Sequence, residues 1–233
     1  MCPPPPSRSR AFVALVLLVP VPTLGAMAGM VFEPTRGTPL GQALYVASKI
    51  WILILPLAWW LIIEQRRISF SPPRQGGLLL GAALGFAIGS AIILAYVIFA
   101  HQWIDADQLR SAVERNGFGT PVRFLVLVVP LALINSLLEE YVWRWFVFSR
   151  CEIVLGRVAA VIAAALFFTL HHIVVLHAQT NWRITLLGSA GVFIGGCAWS
   201  WCYLRYRSIW PGYVSHVITD LAVFAVGWHV IFG

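Results

Sequence analysis

Seven apolar stretches, each long enough to cross a bilayer, take up most of this chain and leave it few folds to choose from. A helix needs about 20 residues to span the hydrocarbon core. The stretches near residues 11–32, 41–63, 76–100, 122–149, 157–177, 183–204 and 211–232 meet that length. Inside lipid, backbone N–H and C=O groups must be satisfied within the segment or by closing a barrel, and apolar runs of this length do so as helices. The expected fold is all-α, a polytopic transmembrane helix bundle of about seven spans. Composition agrees: 60% of the 233 residues are hydrophobic and 11% charged, and a soluble domain carries about twice that share of charge. No polar stretch could build a separate water-soluble domain, so the chain reads as one membrane-embedded unit. Residues 1–10 form a cytoplasmic tail, 11–121 the first three spans and a surface segment, and 122–233 a carboxy-terminal bundle.

The net charge of +7 raises the question of nucleic acid. The basic residues, however, are scattered at the ends of apolar segments, where they meet phospholipid headgroups and set topology. The lipid bilayer is the expected partner and nucleic acid is not. With the amino terminus in the cytoplasm, the inner loops hold Arg8, Arg10, Arg66, Arg67, Arg74, Arg150, Arg157, Arg205 and Arg207, against Arg36, Arg110, Arg115, Arg123 and Arg183 outside. That bias places the amino terminus inside. Arg8, Arg10, the apolar run and Ala26-Met27-Ala28 also fit a cleavable signal. Pro20, Pro22 and the proline run at 3–6 favour a retained first helix instead. Cys2, Cys151, Cys197 and Cys202 show neither metal-ligand nor disulfide spacing. Short loops, an arginine-rich composition and the lack of a disulfide framework point to a bacterial inner membrane.

Two features organise the first half. Leu109 and Val113, among charges between Asp105 and Arg123, predict a short helix lying on the membrane surface. Gly77, Gly81, Gly85 and Gly89 recur every fourth residue, which on a helix makes a smooth stripe for close backbone approach. The stripe serves either packing within the bundle or a homodimer contact, and packing within the bundle is the simpler use.

Three of the nine acidic residues, Glu139, Glu140 and Asp220, lie inside membrane-length apolar runs. A charge at bilayer depth costs several kcal/mol, so such residues pair with one another or serve a site. Glu140 and Arg144 are four apart and can pair on one helix face. Glu139 points roughly 100° away and cannot share all of its neighbour's contacts. Two carboxylates with one arginine leave a carboxylate in excess, which simple neutralisation does not explain. The fifth segment carries His171 and His172, which point in different directions, so at most one is expected to face the site. The seventh carries His216 and Asp220, again four apart.

Glu139-Glu140-x-x-x-Arg144, then Phe-x-x-x-His, then His216-x-x-x-Asp220 together resemble the CPBP family, the CAAX-protease and bacteriocin-processing intramembrane proteases, which includes the type II CAAX prenyl endopeptidases. The resemblance covers roughly residues 122–230, and the first motif is the most specific. It implies an intramembrane endopeptidase acting on a membrane-associated protein or peptide. It also implies that Glu140, as the second glutamate of its motif, activates the attacking water. The second-motif histidine is His172, after Phe168 and the small Thr169, with His171 after Phe167 as the alternative. The third motif falls on His216 and Asp220, where many relatives have Asn. An ionised Asp cannot donate to an oxyanion, so Asp220 either orients His216 or is protonated in its apolar setting.

Peptide hydrolysis needs a base for the water, a donor to the oxyanion and an acid for the leaving amine. Glu140 suits the base and later the acid, His172 positions the water, His216 stabilises the oxyanion, and Arg144 fixes the glutamates. No cofactor is required on this reading. A rival uses zinc held by Glu140, His172, His216 and Asp220. Two other functions remain in play: a non-catalytic scaffold or bacteriocin-immunity protein on the same fold, and a proton-coupled transporter. The lack of two corresponding halves disfavours the transporter. Counted from the inner loop, Glu140 lies about 12–15 Å deep, His216 about 7 Å and His172 over about 20 Å. The three meet only if helices tilt or run past these limits.

Overall fold

The structure, a computed structural model, describes residues 7–67 and 71–233; Cys2 and the proline run at 3–6 lie outside the described residues. Seven helices are long and apolar enough to cross a membrane: α1 (Arg8–Val31), α2 (Pro39–Ile63), α3 (Leu78–Ile98), α5 (Pro121–Leu155), α6 (Arg157–Gln179), α7 (Trp182–Tyr206) and α8 (Trp210–Phe232). Between α3 and α5 lies the short α4 (Ala106–Arg115). No strand occurs among the described residues. The fold is an all-α membrane bundle.

Local chemistry sets the boundaries. Thr38, Asp105 and Asn181 accept hydrogen bonds from the first free N–H groups of α2, α4 and α7, which those groups would otherwise lack. Pro39, Pro121 and Pro211 stand in first turns, where no intrahelical donor is lost. Gly156 joins α5 to α6 with φ of 85°, a left-handed value that a side chain disfavours. Helix α5 is not uniform. Its turns widen to π-helical geometry over Leu131–Asn135, just after Pro130, and again over Glu140–Phe148. Such bulges re-aim side chains and occur at functional sites.

The main core gathers Leu18 of α1, Trp59 of α2, Trp143, Phe146 and Phe148 of α5, Phe168 of α6, and Trp199 and Tyr203 of α7. A smaller core joins Phe124 and Val128 to Ile231, with Leu109 and Val113 of α4 packed on it. The short helix thus lies across the ends of α5 and α8, and Arg110 Nε donates to Ile231 O at 3.0 Å.

The glycine stripe is used inside the molecule. A Cβ on Gly85 would lie 2.8 Å from Ile218 Cβ, one on Gly81 would run into the Pro211 backbone, and one on Gly89 would meet Ala222 at 3.1 Å, all on α8. Gly77 faces the Tyr206 ring. The contact seats α3 against α8, the packing within the bundle that is the simpler use of the spacing. Several arginines expected at headgroups are also engaged by protein. Arg207 clasps Glu152 through two bonds of 2.7 Å, Arg8 donates to Val154 O, and Arg150 pairs with Glu64 at 2.5 Å.

Candidate active site

The widened stretch of α5 carries the first motif. Glu140 is wholly buried: its Oε1 lies 3.5 Å from Arg144 Nε and accepts a 3.1 Å hydrogen bond from His216 Nδ1. Its Oε2 has no hydrogen-bond partner and lies against α8 at Gly212, where a Cβ would come within 2.5 Å. The Arg144 guanidinium, equally buried, rests over the Phe168 ring at 4.5 Å and the Trp199 ring at 5.1 Å. Cation–π attraction partly replaces the water it has lost.

His216 is clamped from three directions. Its ring stacks on Trp199 with centroids 3.8 Å apart, and Trp199 is held by its Nε1 donating to Ser215 Oγ at 3.0 Å. Nδ1 points at Glu140, while Nε2 lies 3.5 Å from Glu139 Oε2 and 3.8 Å from Asp220 Oδ1. The two glutamates, expected to part company around the helix, therefore share one imidazole through opposite nitrogens. Asp220 accepts a 2.6 Å bond from Ser136 Oγ, one turn before Glu140 on α5.

Both neighbouring histidines reach the site, against the expectation that at most one would. Ligating atoms of Glu139, His171 and His172 all lie within 4.8 Å of one another. The rings of His171 and His172 sit 4.1 Å apart, with His171 flat against Trp143. His172 Nδ1 donates to Phe168 O at 2.9 Å, which turns its other nitrogen outward as an acceptor. The four-residue zinc set of Glu140, His172, His216 and Asp220 does not form. Glu140 and Asp220 address opposite nitrogens of one imidazole, and one ion cannot bind both sides of a ring.

Access separates the carboxylates. The Glu140 side chain is 0% exposed, Glu139 13% and Asp220 23%. The mismatch in depth resolves through two boundaries. Helix α5 continues to Leu155, so Glu140 and His172 each lie about 22 Å from the α5–α6 turn. The start of α8 is covered by the segment at Ser71: Ser208 and Ile209 are buried, with Ser208 Oγ donating to Ser71 O and Ile209 N to Ser71 Oγ. His216 is thus deeper than its place in α8 implies.

Sequence reading passed over Ser136, Trp199, Ser215, Gly212 and Lys49. Ser136 and Gly212 each precede a motif residue by four, so spacing could have found them. Lys49, in the middle of an apolar span, carried the same signal as the glutamates. Trp199 and Ser215 carried none.

A bundle of membrane-length helices enclosing carboxylates, an arginine and histidines from α5, α6 and α8 defines a class: polytopic membrane proteins with an intramembrane polar site. Residues 121–222 match the family model described as type II CAAX prenyl endopeptidase Rce1-like, which agrees with the CPBP and CAAX-protease resemblance and supports a CAAX-type intramembrane protease at the level of the family. No curated protein and no solved structure matches the chain.

Proposed function

We propose that this protein is an intramembrane endopeptidase that hydrolyses a peptide bond in a membrane-associated protein or peptide. The observation that carries the proposal is the imidazole of His216 held between Glu139 and Glu140, with His172 beside Glu139. We assign the general base to Glu139 rather than Glu140. A base must touch the water it deprotonates, and Glu140 is sealed between Arg144, His216 and the α8 backbone, whereas Glu139 borders the more open side. His172, its Nδ1 committed to Phe168 O, offers its other nitrogen to the same water. Glu140 and Arg144 hold His216, which in its doubly protonated form donates through Nδ1 to Glu140 and through Nε2 to an oxyanion. Asp220, tethered by Ser136, lies behind that edge. The amine leaving group takes its proton from Glu139 as the peptide bond breaks.

This chemistry needs no metal. Glu139, His171 and His172 are nonetheless compact enough to hold zinc through two nitrogens and one oxygen, and a metal there would lower the pKa of bound water. The cellular setting we propose is a bacterial inner membrane with the amino terminus inside.

The test compares new amino termini in host membranes for wild type, Glu139→Gln and Glu140→Gln at matched expression. Termini present with wild type and absent with Glu139→Gln support the assignment. A residual set with Glu139→Gln and none with Glu140→Gln returns the base to Glu140. Profiles identical for all three point to a scaffold or immunity protein. Activity of purified protein that survives exhaustive chelation excludes the zinc variant.

A further inference from the structure

His171 is the buried imidazole that the proposed reaction leaves without a task. It is 4% exposed, and its Nδ1 has no hydrogen-bond partner among the described residues. Three rings hold it in place. Trp143 of α5 lies flat against it, with centroids 5.3 Å apart and planes 9° from parallel. Phe168 meets it edge-on at 5.7 Å, and His172 lies at 4.1 Å. As a packing residue it is a poor choice. A buried polar atom that bonds to nothing costs stability, and a phenylalanine would fill the slot between Trp143 and Phe168 without that loss. Its neighbours account for it better: one ligating atom from each of Glu139, His171 and His172 lies within 4.8 Å of the others.

The two histidines carry their protons on opposite nitrogens. His172 donates from Nδ1 to Phe168 O, so its Nε2 is a bare acceptor. His171 has no acceptor at Nδ1, and an orphaned N–H is the rarer of the two buried defects. Its hydrogen therefore sits on Nε2, which makes that nitrogen a donor. A donor and an acceptor thus stand side by side at Glu139. A water there gives one hydrogen to Glu139 and the other to His172 Nε2. Its oxygen keeps two lone pairs, and only one of them attacks the carbonyl carbon. Unless a donor engages the second, the water can rock away from the line of attack.

We propose, building on the endopeptidase reading, that His171 is a further catalytic residue whose Nε2–H donates to the second lone pair of the attacking water. With three hydrogen bonds made, the one remaining lone pair points at the substrate, a near-attack geometry that speeds a bound nucleophile. As the oxygen bonds to carbon, Glu139 takes the water's proton and His171 keeps its own. No charge moves onto the buried ring.

The experiment has two arms, both on the full chain. The first reads nitrogen NMR shifts of isotope-labelled histidines in nanodiscs with a chelator present, assigned by the signals lost in His171 variants. The second reads how fast wild-type-dependent termini appear in host membranes for His171→Phe, His171→Gln and His171→Asn at matched amounts of folded protein. Glutamine places an amide N–H where Nε2 stood, and asparagine places it near Nδ1. The expected spectrum has His171 protonated at Nε2 and His172 at Nδ1. The expected rate falls by about tenfold to a hundredfold in His171→Phe, recovers in His171→Gln and stays low in His171→Asn. A proton on Nδ1 of His171 overturns the proposal whatever the rates. Full activity of His171→Phe overturns it too, as does equal loss in all three variants, since the ring then serves only to pack. Should His171→Phe not fold, the contrast between glutamine and asparagine decides alone. Activity lost on chelation and restored by zinc overturns the proposal in favour of a metal ligand. A wild type that yields no termini, with the expected protonation of both rings, sinks the endopeptidase reading and leaves the histidine pair standing as a water site.

Discussion

Among the described residues two glutamate–arginine pairs are buried, and they are built to different ends. Glu64 and Arg150 meet at 2.5 Å where the end of α2 crosses the last turns of α5, with Arg66 3.7 Å from the same carboxylate. Arg150 also covers the Phe146 and Trp60 rings, at 4.1 and 5.6 Å. Glu140 and Arg144 meet at only 3.5 Å, and none of the three Arg144 nitrogens has a hydrogen-bond partner. The first pair holds one carboxylate between two arginines and is fixed by a direct hydrogen bond from Arg150. The second is loose and surrounded by further acid, Glu139 and Asp220, with an imidazole between. A charge pair that serves only to join helices needs neither excess carboxylate nor a poised histidine. Surplus acid separates the candidate active site from the structural clasp.

The largest expected effect lies at the open carboxylate. Glu139→Gln should lower peptide cleavage by about 10²–10⁴-fold, the usual worth of a positioned general base, while thermal unfolding in detergent stays near wild type. Unfolding together with loss of activity would place Glu139 in the same structural class as Glu64.

Next comes the clasp, where the opposite pattern is expected. Glu64→Gln leaves the Arg150 guanidinium buried without its counter-charge, a change that costs about 3–5 kcal/mol when one partner of a buried pair is removed. A clear drop in unfolding temperature with unchanged kcat per folded molecule is the outcome that keeps the two pairs distinct. Loss of turnover in well-folded protein would make the clasp part of the site.

Gly212→Ala tests the seal around Glu140. Its new methyl would press on Glu140 Oε2, and overpacking of this kind costs about 1–3 kcal/mol. Displacing Glu140 also shifts His216, so cleavage should fall more than stability does. A fully active alanine variant would show that Glu140 need not be held against α8.

How far the sequence reveals this comparison depends on which residues act alone. The seven spans were readable because lipid forces each helix to declare itself by length and hydropathy. The motif residues were readable because a charge inside such a run is rare. The end of α5 was not: Arg150, Cys151 and Glu152 fall between the stretches 122–149 and 157–177 and read as an inner loop, yet they remain helical because Glu64 and Arg207, distant in sequence, neutralise the charges. The same limit hid the sharing of His216 by Glu139 and Glu140. That sharing depends on the widened turns of α5 and on Trp199, a tryptophan among the chain's 11 with nothing in its spacing to mark it. Pairings made by distant residues leave no local pattern to read.

The smallest expected effect bears on the acid that most distinguishes the two pairs. Ser136 donates its hydroxyl to Asp220, and Asp220 stands beside the nitrogen of His216 that faces the proposed oxyanion. Ser136→Ala removes one hydrogen bond to a carboxylate, worth about 1.5–3 kcal/mol when the acceptor is charged and less here, because the 23% exposed Asp220 side chain can turn toward water. A fall in kcat of roughly fivefold, with KM and unfolding temperature nearly unchanged, corresponds to about 1 kcal/mol of lost transition-state stabilisation. Such a split would show Asp220 acting through His216. If Asp220→Asn restored the activity lost in Ser136→Ala, the amide would be doing what the tethered carboxylate does, orienting His216 without a second negative charge. If Ser136→Ala instead lowered stability and left kcat alone, Asp220 would belong with Glu64, as a charge held for the fold.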